Sequence, residues 1–305
     1  MDIIKKNLLM QIADLHSTPE GAYNIRANGM LDSRNTTKNI DIVSKTDKSG
    51  IDIIIKPGTV NESVHIPVII SETGLREIVY NDFYIGENSD VVIIAGCGIH
   101  NCGDQTSQHD GIHTFHIGKN AKVKYVERHY GDGDGNGETV MNPTTVVEID
   151  DGGYMEMETT QIKGIDSTNR VTTAKLGNDA KIVVKEKIMT HGKQFANTEF
   201  TVDLNGENSG ANVISRSVAK DRSHQIFKSN INGNNKCSGH TECDAIIMDE
   251  ATVSAIPEIT ANSIDASLIH EAAIGKIAGE QLIKLMTLGL TEQEAEEQIV
   301  SGFLK

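Results

Sequence analysis

The sequence lacks tryptophan and contains few other aromatic residues, which limits how its core can be built. Of 305 residues only 6 are Phe and 6 are Tyr, whereas 28 are Gly. The interior must therefore be filled by smaller side chains, chiefly Ile, Val, Ala and Met. Because β-branched side chains of this size favour strands packed in regular layers, the composition indicates a layered β structure.

An excess of positive charge is also missing. The chain carries 28 Lys and Arg residues against 43 Asp and Glu residues, which gives a formal net charge of -15. The lysines are scattered rather than clustered, so the surface should repel phosphate backbones and anionic lipid headgroups. We therefore expect neither a nucleic acid nor a membrane as a partner.

Long hydrophobic runs are absent, since no apolar stretch reaches the roughly 18 residues that a membrane span requires. The N-terminus, MDIIKKNLLMQIADLH, is typical of a short amphipathic helix and lacks the apolar region and cleavage site of a secretory signal. We therefore predict a cytoplasmic protein. In that compartment its 4 cysteines are expected to be thiols or ligands rather than disulfides.

Motifs of common enzyme classes are missing as well. The sequence contains no Gly-x-x-x-x-Gly-Lys-Ser/Thr phosphate loop and no Gly-x-Ser-x-Gly nucleophile elbow. The glycine-rich segment 131–138 resembles a calcium loop, but it lacks the bidentate Glu at the twelfth position and a flanking helix. We interpret this segment as a flexible turn.

Short apolar runs bounded by Gly, Asn, Asp, Ser or Pro begin at about residue 38, a pattern typical of strands and turns. A loose repeat starts at Ile117, Ile149, Leu176 and Leu204, with spacings of 32, 27 and 28 residues and no helical pattern between them. This period suits a coil of two or three strands, whereas the turns of a β-sandwich recur every 8 to 12 residues or so. The repeat therefore favours a β-solenoid over a sandwich.

The pattern becomes helical after Pro257. Residues 278–288 place Leu282, Leu285 and Met286 on one helix face, and a glycine ends the helix. A capping box at 291–294 predicts the start of a second helix. These two short helices either dock a partner or cap the open end of the solenoid.

Cys243, His270 and Glu271 are the most informative side chains, because a thiol, an imidazole and a carboxylate suit a thiophilic metal such as iron or zinc. The 27 residues between Cys243 and His270 are close to the repeat length, so stacked coils would bring them onto neighbouring strands about 4.8 Å apart. The alternative is that Cys243 is a small buried hydrophobe and that His270 and Glu271 begin a helix.

Cys237, His240 and Cys243 resemble half of a structural zinc site. A complete site needs four ligands, usually from two such knuckles. The spacing of Cys97 and Cys102 does not provide a clear second knuckle, so a structural zinc is disfavoured.

Histidines are dense between residues 100 and 129. In an alternating strand His113 and Phe115 face one side and His116 the other, so these histidines cannot all bind one metal. We expect most of them to be surface or hydrogen-bonded residues. The set is His100, His109, His113, His116 and His129.

The stretches 243–250, 255–259, 268–277 and 289–303 closely resemble the SufB/SufD family, the scaffold subunits of SUF iron-sulfur cluster assembly. The resemblance is specific from about residue 235 to the end and weaker from about residue 90. It implies a mainly β fold, a right-handed parallel β-helix. The implied division is an N-terminal helical segment (1–35), a β-helix core (36–260) and a C-terminal helical docking domain (261–305).

The resemblance also implies roles for individual residues. Cys243 matches the SufB cysteine that holds the nascent cluster, and Glu271 matches the carboxylate of the SufB His-Glu-Ala motif. His270 matches the histidine that SufD contributes across the interface. Cys97 matches the cysteine that first receives sulfur, and a passage through the β-helix would link it to Cys243.

Further residues are weaker candidates for the tunnel or for ligation. Arg128 and His129 match the polar tunnel residues of the family loosely. His240 and Cys237 are retained because they form a compact Cys-x-x-His-x-x-Cys pattern with Cys243.

The function implied by the resemblance is assembly rather than catalysis. A transient iron-sulfur cluster would be built from iron and from sulfur that a cysteine desulfurase or another donor delivers. A SufC-like ABC ATPase would bind the C-terminal helices, and ATP hydrolysis would take place in that partner.

One chain here combines the SufB-type Cys243 and Glu271 with the SufD-type His270, which resembles compact systems whose single scaffold forms a homodimer. The chain is shorter than SufB and lacks its N-terminal cysteine motif, so the sulfur donor and route need not be those of SufB. The alternatives are a SufD-like subunit that binds no cluster and a β-helix carbohydrate-active enzyme. The latter needs an aromatic sugar platform and paired carboxylates.

Overall fold

Twenty strands and three helices make up residues 3–305, the part of the chain that the computed structural model describes. The helices are α1 (Ile3–Ala13), α2 (Gly279–Thr287) and α3 (Glu292–Phe303). The strands are β1 (Ala22–Ala27), β2 (Met30–Asn35), β3 (Ile40–Ser44), β4 (Gly50–Ile55), β5 (Val60–Ile70), β6 (Arg76–Ile85), β7 (Asp90–His100), β8 (Ser107–Ile117), β9 (Lys122–Asp132), β10 (Thr139–Met141), β11 (Thr144–Ile149), β12 (Tyr154–Lys163), β13 (Ser167–Leu176), β14 (Lys181–Thr190), β15 (Phe195–Leu204), β16 (Ser209–Ala219), β17 (His224–Gly233), β18 (Cys237–Ile247), β19 (Thr252–Ala261) and β20 (Ala266–Gly275).

From β4 onward the strands alternate between two facing sheets, so that each coil contributes to both. Sheet A runs β2-β1-β5-β7-β9-β12-β14-β16-β18-β20, and sheet B runs β19-β17-β15-β13-β10-β8-β6-β4-β3, with β11 continuing β10 between β8 and β13. Neighbouring coils pair in parallel, and within residues 3–305 antiparallel pairs occur only between β1 and β2 and between β3 and β4. The result is a parallel β-solenoid of about 8 turns with helices at both termini, which confirms the predicted fold class.

The sequence repeat corresponds to one position in successive coils of sheet B. Ile117 pairs with Ile149, Ile149 with Leu176, and Leu176 with Leu204. All four side chains are buried between the sheets. The spacing of 27 to 32 residues is therefore the length of one coil, including its second strand in sheet A.

The structure gives the extent of the elements at both ends of the solenoid. The N-terminal helix ends at Ala13, where Asp14 adopts a φ of 52°, and Asn28 (φ 48°) and Gly29 (φ 78°) form the tight turn that folds β1 and β2 into a hairpin. Asn-Gly is a preferred pair for such a turn because both positions need positive φ. At the other end the solenoid continues to Gly275, since β20 pairs with β18 along its whole length. Helices α2 and α3 therefore both lie beyond residue 275.

The helices at the C-terminus agree with the sequence prediction. α2 covers most of 278–288, and Thr291 caps α3 through the predicted capping box with Glu294. α1 lies at the other end, where Leu8 and Ile12 are buried. Its close approach to β7 requires glycine, because a Cβ at Gly96 would lie 2.9 Å from the Cβ of Ile12. Among residues 3–305, no helix has both the length and the apolar character needed to cross a bilayer.

The apolar core fills the space between the two sheets. Three of its aromatic side chains meet in adjacent coils, where Phe83 and Phe115 stack with ring centroids 4.3 Å apart. Tyr125 packs edge-on against Phe115 from the opposite sheet. Aromatic pairs of this kind add to the free energy gained from burial.

We predict that Phe115→Ala lowers the free energy of unfolding by about 3–5 kcal/mol, because a fully buried ring is replaced by a cavity. The matched control is Phe195→Ala, since Phe195 is half-buried and stacks on the surface residue His224. This control should cost less than about 1 kcal/mol. Urea unfolding followed by circular dichroism measures both, and equal losses would contradict the assignment of the aromatic core.

Candidate functional site

Cys243 lies on β18, the second-to-last strand of sheet A, with its thiol in the interior of the solenoid. It pairs with Ser215 on β16 and with Ala272 on β20. The side chain is 1 % exposed. Burial, followed by the negative charges of Glu186 and Asp244, raises the pKa of the Cys243 thiol to about 12. An isolated Cys243 is therefore protonated at neutral pH.

His270 shares the interior face with Cys243. It pairs with Thr241, which points inward two residues before Cys243. The two side chains are therefore diagonal neighbours on adjacent strands, with Cα atoms roughly 7–8 Å apart in such a pair. The Nδ1 atom of His270 is buried without a hydrogen-bond partner, which leaves a ring nitrogen available for a ligand. Burial and the nearby His240 lower the pKa of His270 and so favour its neutral form.

Glu271 does not join them within one chain. It follows His270 on β20 and therefore faces the outer surface, where it pairs with Glu242. Its Oε2 lies 3.9 Å from Nε2 of His240, and the side chain is 66 % exposed. Within residues 3–305, no three His, Cys, Asp or Glu side chains are arranged to hold a metal ion.

The other two candidates on β18 are also separated by the alternation of the strand. Cys237 is buried in the interior, six residues before Cys243. His240 lies on the outer face, where its Nδ1 is 3.1 Å from Oδ1 of Asn212. Because these residues occupy opposite faces and the two thiols are about 20 Å apart along the strand, the three cannot share one zinc ion.

Cys97 lies deep in the N-terminal half of the same interior. It occupies β7, pairs with His129 on β9, and is 2 % exposed. Burial, followed by the negative charges of Glu77 and Glu127, raises the pKa of its thiol. A cavity of about 20 Å³ lies beside it and is also lined by His109, which is room for one water molecule.

A chain of buried polar groups connects the region of Cys97 to that of Cys243. Arg170 on β13 is 2 % exposed. Its guanidinium forms an ion pair with Glu127, approaches Nδ1 of His129 at 3.3 Å, and lies with Nε 3.6 Å from Oε1 of Glu186. On β14, Glu186 accepts a hydrogen bond of 2.9 Å from the Ser215 hydroxyl. Ser215 is the neighbour of Cys243.

This path crosses five strand-to-strand steps of sheet A, from β7 through β9, β12, β14 and β16 to β18. At about 4.8 Å for each step, the two thiols lie roughly 24 Å apart along the solenoid axis. The spaces along it are small, with about 20 Å³ beside Cys97 and about 10 Å³ beside Ser215. The interior is therefore a polar seam rather than an open channel.

Two carboxylates of the seam have opposite pKa shifts. Burial alone would raise the pKa of Glu127, but the positive charge of Arg170 and the contact with His129 outweigh it and hold that pKa well below the usual value. At Glu186 burial is the larger effect and raises the pKa despite Arg170 and Ser215. Because the ion pair with Glu127 is the closer one, Arg170 compensates that carboxylate more completely.

His113 adds a neutral branch to the seam. Asn81 Nδ2 lies 3.3 Å from its Nε2, and the Tyr125 hydroxyl lies 2.7 Å from its Nδ1. Since Tyr125 donates its proton to Glu127 at 2.9 Å, Nδ1 of His113 must donate to Tyr125. Burial lowers the pKa of His113 to about 4, which agrees with this neutral form.

Arg128, the other tunnel candidate, lies elsewhere. Adjacent to the inward-facing His129, it points outward and pairs with Asp14 at 2.5 Å. Arg128 therefore links the end of α1 to β9 and does not line the interior.

The histidines of β8 alternate between the two faces of the strand. As predicted, His113 and Phe115 share the interior face, while His116 faces the surface.

Arg170, Glu186 and Ser215 were not identified from the sequence. Each occupies an inward position of a strand whose other inward residues are mostly apolar or small. A charged residue in phase with apolar neighbours is the signal that would have revealed Arg170 and Glu186. Ser215 carries no such signal, because a serine is common at any strand position.

Comparisons with known proteins agree with this architecture. The family model described as SUF system FeS cluster assembly, SufBD core domain, matches residues 77–303. An iron-sulfur cluster assembly SufBD family protein of Methanocaldococcus jannaschii is 33% identical over 83% of this chain and 79% of its own length. A relative from Archaeoglobus fulgidus with the same description is 31% identical over 75% of this chain.

The matched regions cover different shares of these relatives. The match spans 61% of the Archaeoglobus fulgidus protein. In a relative from Methanothermobacter thermautotrophicus (strain Winter), it spans 57% at 29% identity. The remaining part of each of these two relatives is therefore not matched by this chain.

We predict that Arg170→Met lowers the free energy of unfolding by about 3–5 kcal/mol at neutral pH, because two buried carboxylates lose their cation. The depressed pKa of Glu127 stabilises the fold above its unfolded-state pKa of about 4.3, and that contribution is lost as pH falls through the folded value. Without Arg170, Glu127 takes up a proton on folding. The deficit relative to wild type should therefore shrink as pH falls toward about 4.5.

Two variants control this prediction. Adding Glu127→Gln to Arg170→Met removes one of the uncompensated charges and should recover part of the loss. Arg128→Met removes an outward-facing arginine from a partly exposed pair and should change stability by less than about 0.5 kcal/mol. Chemical unfolding at several pH values tests the set, and a double variant as unstable as the single one would contradict the role of the buried pair.

Proposed function

Because the chain belongs to the SufBD core family of the SUF iron-sulfur cluster assembly system, we propose that it is a scaffold on which a transient iron-sulfur cluster is built. The cluster is the cargo of the scaffold rather than a resident cofactor. The chain itself performs assembly and no chemical turnover, and ATP hydrolysis takes place in a partner ATPase.

The observation that carries this proposal is the position of Cys243 beside His270 at the open end of the solenoid. Cys243 supplies a thiol, and His270 supplies a ring nitrogen that has no other partner. A thiol with a pKa of about 12 loses its proton when iron or zinc binds, because the metal stabilises the thiolate. Mixed ligation by sulfur and nitrogen should hold a cluster less tightly than four thiolates, which suits a scaffold that releases its product.

A second copy of the chain completes the site in this proposal. β20 is the last strand of sheet A, so its outer edge has no neighbour within residues 3–305. The interior face of the last coil is also uncovered, and Ile274 on that face remains 39% exposed. A homodimer through this end would bring two copies of Cys243 and His270 together. Glu271 would then reach the cluster only from the outer face, at the edge of the interface.

Sulfur would reach Cys243 along the polar seam. We assign Cys97 to the seam as the internal cysteine that receives sulfur, as the family resemblance implies. Its thiol is buried and has a raised pKa, so it is not a reactive surface nucleophile. Passage between Cys97 and Cys243 requires the coils to open, because the spaces between them are small.

The partner ATPase, a SufC-like ABC protein, would bind the C-terminal helices. α2 has no buried residue, and Ile283, Met286 and Leu288 expose 63%, 42% and 76% of their surface. α3 has a different role, because its Ala295 is fully buried and the carbonyl of Lys305 accepts a hydrogen bond from Lys187 on sheet A. A pull on α2 would be transmitted through α3 to the outer face of the seam. The sulfur donor, a cysteine desulfurase or another protein, would act at the opposite half.

Cys243→Ala should abolish cluster formation, because it removes the thiolate ligand. The measurement is anaerobic reconstitution with iron and sulfide, followed by visible absorption. Cys237→Ala is the matched control, since it removes a buried thiol from the same strand and face and should leave the absorption unchanged. Unchanged absorption in Cys243→Ala would contradict the assignment of Cys243 as a cluster ligand. A wild-type protein that binds the ATPase but never a cluster would identify the SufD-like subunit instead.

Ile274→Asp should convert the homodimer to a monomer, because it places a charge on the apolar interior face of the last coil. Ile78→Asp is the control, since Ile78 on β6 is 51% exposed and lies far from that end of the solenoid. Sedimentation velocity measures the change in mass. A complex with one scaffold for two ATPases, or a dimer that survives Ile274→Asp, would count against this interface.

A further inference from the structure

A third sulfur position lies on the surface, outside the seam. Of the four cysteines, all of which the structure describes, only Cys102 is exposed. It follows the end of β7, five residues after Cys97. Five residues of extended chain span up to roughly 17 Å, so this thiol is well separated from the buried one.

Cys102 belongs to a hydrogen-bonded Cys-His-Asp arrangement. The Sγ atom of Cys102 lies 2.9 Å from Nε2 of His100, and Nδ1 of His100 lies 2.6 Å from Oδ1 of Asp132. The imidazole thus has a thiol at one nitrogen and a carboxylate at the other, the order found where histidine activates a nucleophile. His100 and Asp132 are partly exposed, at 22% and 34%, so a reactant can approach from solvent.

The backbone that carries Cys102 is held in place. The Asn101 side chain is 3 % exposed, and its Nδ2 donates to the carbonyl oxygens of Gln105 and Gly137 at 3.0 Å each. Its Oδ1 accepts the backbone N–H of Gly103 at 3.3 Å. Because the residue next to Cys102 is anchored on two segments, the position of the thiol relative to His100 is fixed.

The glycine-rich segment 131–138 supplies the rest of the arrangement. Its glycines pack against 101–105, since a Cβ at Gly133, Gly135 or Gly137 would lie 2.1 to 2.3 Å from a carbonyl oxygen of that loop. The segment predicted as a flexible turn is therefore a packed layer. It contains Asp132 and places Asp134 beside Cys102, a contact that lowers the pKa of the Asp134 carboxyl.

Asp134 makes the role of His100 more specific. A carboxylate next to a thiol opposes the formation of an isolated thiolate. Loss of the Cys102 proton therefore requires a nearby acceptor, and Nε2 of His100 is placed to be that acceptor. Asp132 in turn accepts a hydrogen bond from Nδ1 of His100 and so orients the ring.

We infer that Cys102, His100 and Asp132 form a surface thiol-exchange site that accepts sulfane sulfur from a persulfide, a role that rests on the proposed scaffold function. His100 takes the proton of Cys102, and the Cys102 thiolate attacks the outer sulfur of the donor persulfide. The donor S–S bond breaks as the new one forms. The donor leaves as a thiolate that takes the proton from His100, and Cys102 becomes a persulfide without any external oxidant or reductant.

The first test is the reactivity of the native full-length protein. Iodoacetamide labelling followed by peptide mass spectrometry should modify Cys102 first and the other three cysteines only after unfolding. His100→Ala should slow the labelling at Cys102 by at least about tenfold, because the proton acceptor is lost. Asp132→Ala should slow it several-fold, and Asp132→Glu, which keeps the carboxylate, should restore most of the rate.

The second test identifies the substrate. Incubation with glutathione persulfide should add the mass of one sulfur atom to the peptide that contains Cys102, and Cys102→Ser should lose this addition. His116→Ala is the control, since His116 forms a similar surface pair with Glu148 at 3.0 Å but has no thiol beside it. It should leave both the labelling and the sulfur transfer at wild-type rates.

Distinct results would overturn the inference. They are wild-type labelling rates in His100→Ala, or sulfur added to Cys97 at the wild-type rate in Cys102→Ser. Failure of the proposed scaffold function would appear differently, as a wild-type protein that forms no cluster on reconstitution while sulfur transfer to Cys102 persists. The two claims are therefore separable.

Discussion

The in-register stacking of successive coils is the constraint on which the rest of the structure depends. Each coil must place its inward positions directly over those of the coil before, because parallel pairing on both sheets leaves no freedom to slip. Residues far apart in sequence therefore form columns inside the solenoid. One such column of sheet A contains Glu127, Thr159, Glu186, Ser215 and Cys243, and this alignment turns a repeat in the sequence into a continuous polar path.

The polar path is costly to stability, which indicates why it needs Arg170. Buried charges lose their hydration, and only close pairing offsets that loss. Arg170 is one cation between two carboxylates, and it approaches Glu127 more closely than Glu186. The incompletely compensated carboxylate is therefore the one that lies toward Cys243. The carboxylate whose pKa is raised is thus the one nearer to the proposed cluster site.

The sequence predicted the fold well because the solenoid repeat is a local signal. The positions Ile117, Ile149, Leu176 and Leu204 are visible as a repeat, and the capping box at Thr291 is a local motif. The side chains that meet across the interior are harder to predict, because Arg170 reaches Glu127 from the opposite sheet. The outward position of Glu271 follows from β20 being a strand. The sequence also allowed the alternative in which His270 and Glu271 begin a helix. The arrangement of His100, Cys102 and Asp132 depends on the packing of two loops, which no local sequence pattern indicates.

The most direct test of the account is iron X-ray absorption of the anaerobically reconstituted protein. The account predicts that iron is bound by sulfur together with nitrogen, and that His270→Ala removes the nitrogen scattering while Cys237→Ala leaves the spectrum unchanged. A spectrum with sulfur neighbours alone, identical in wild type and His270→Ala, would contradict a cluster held by Cys243 and His270 at the open end of the solenoid.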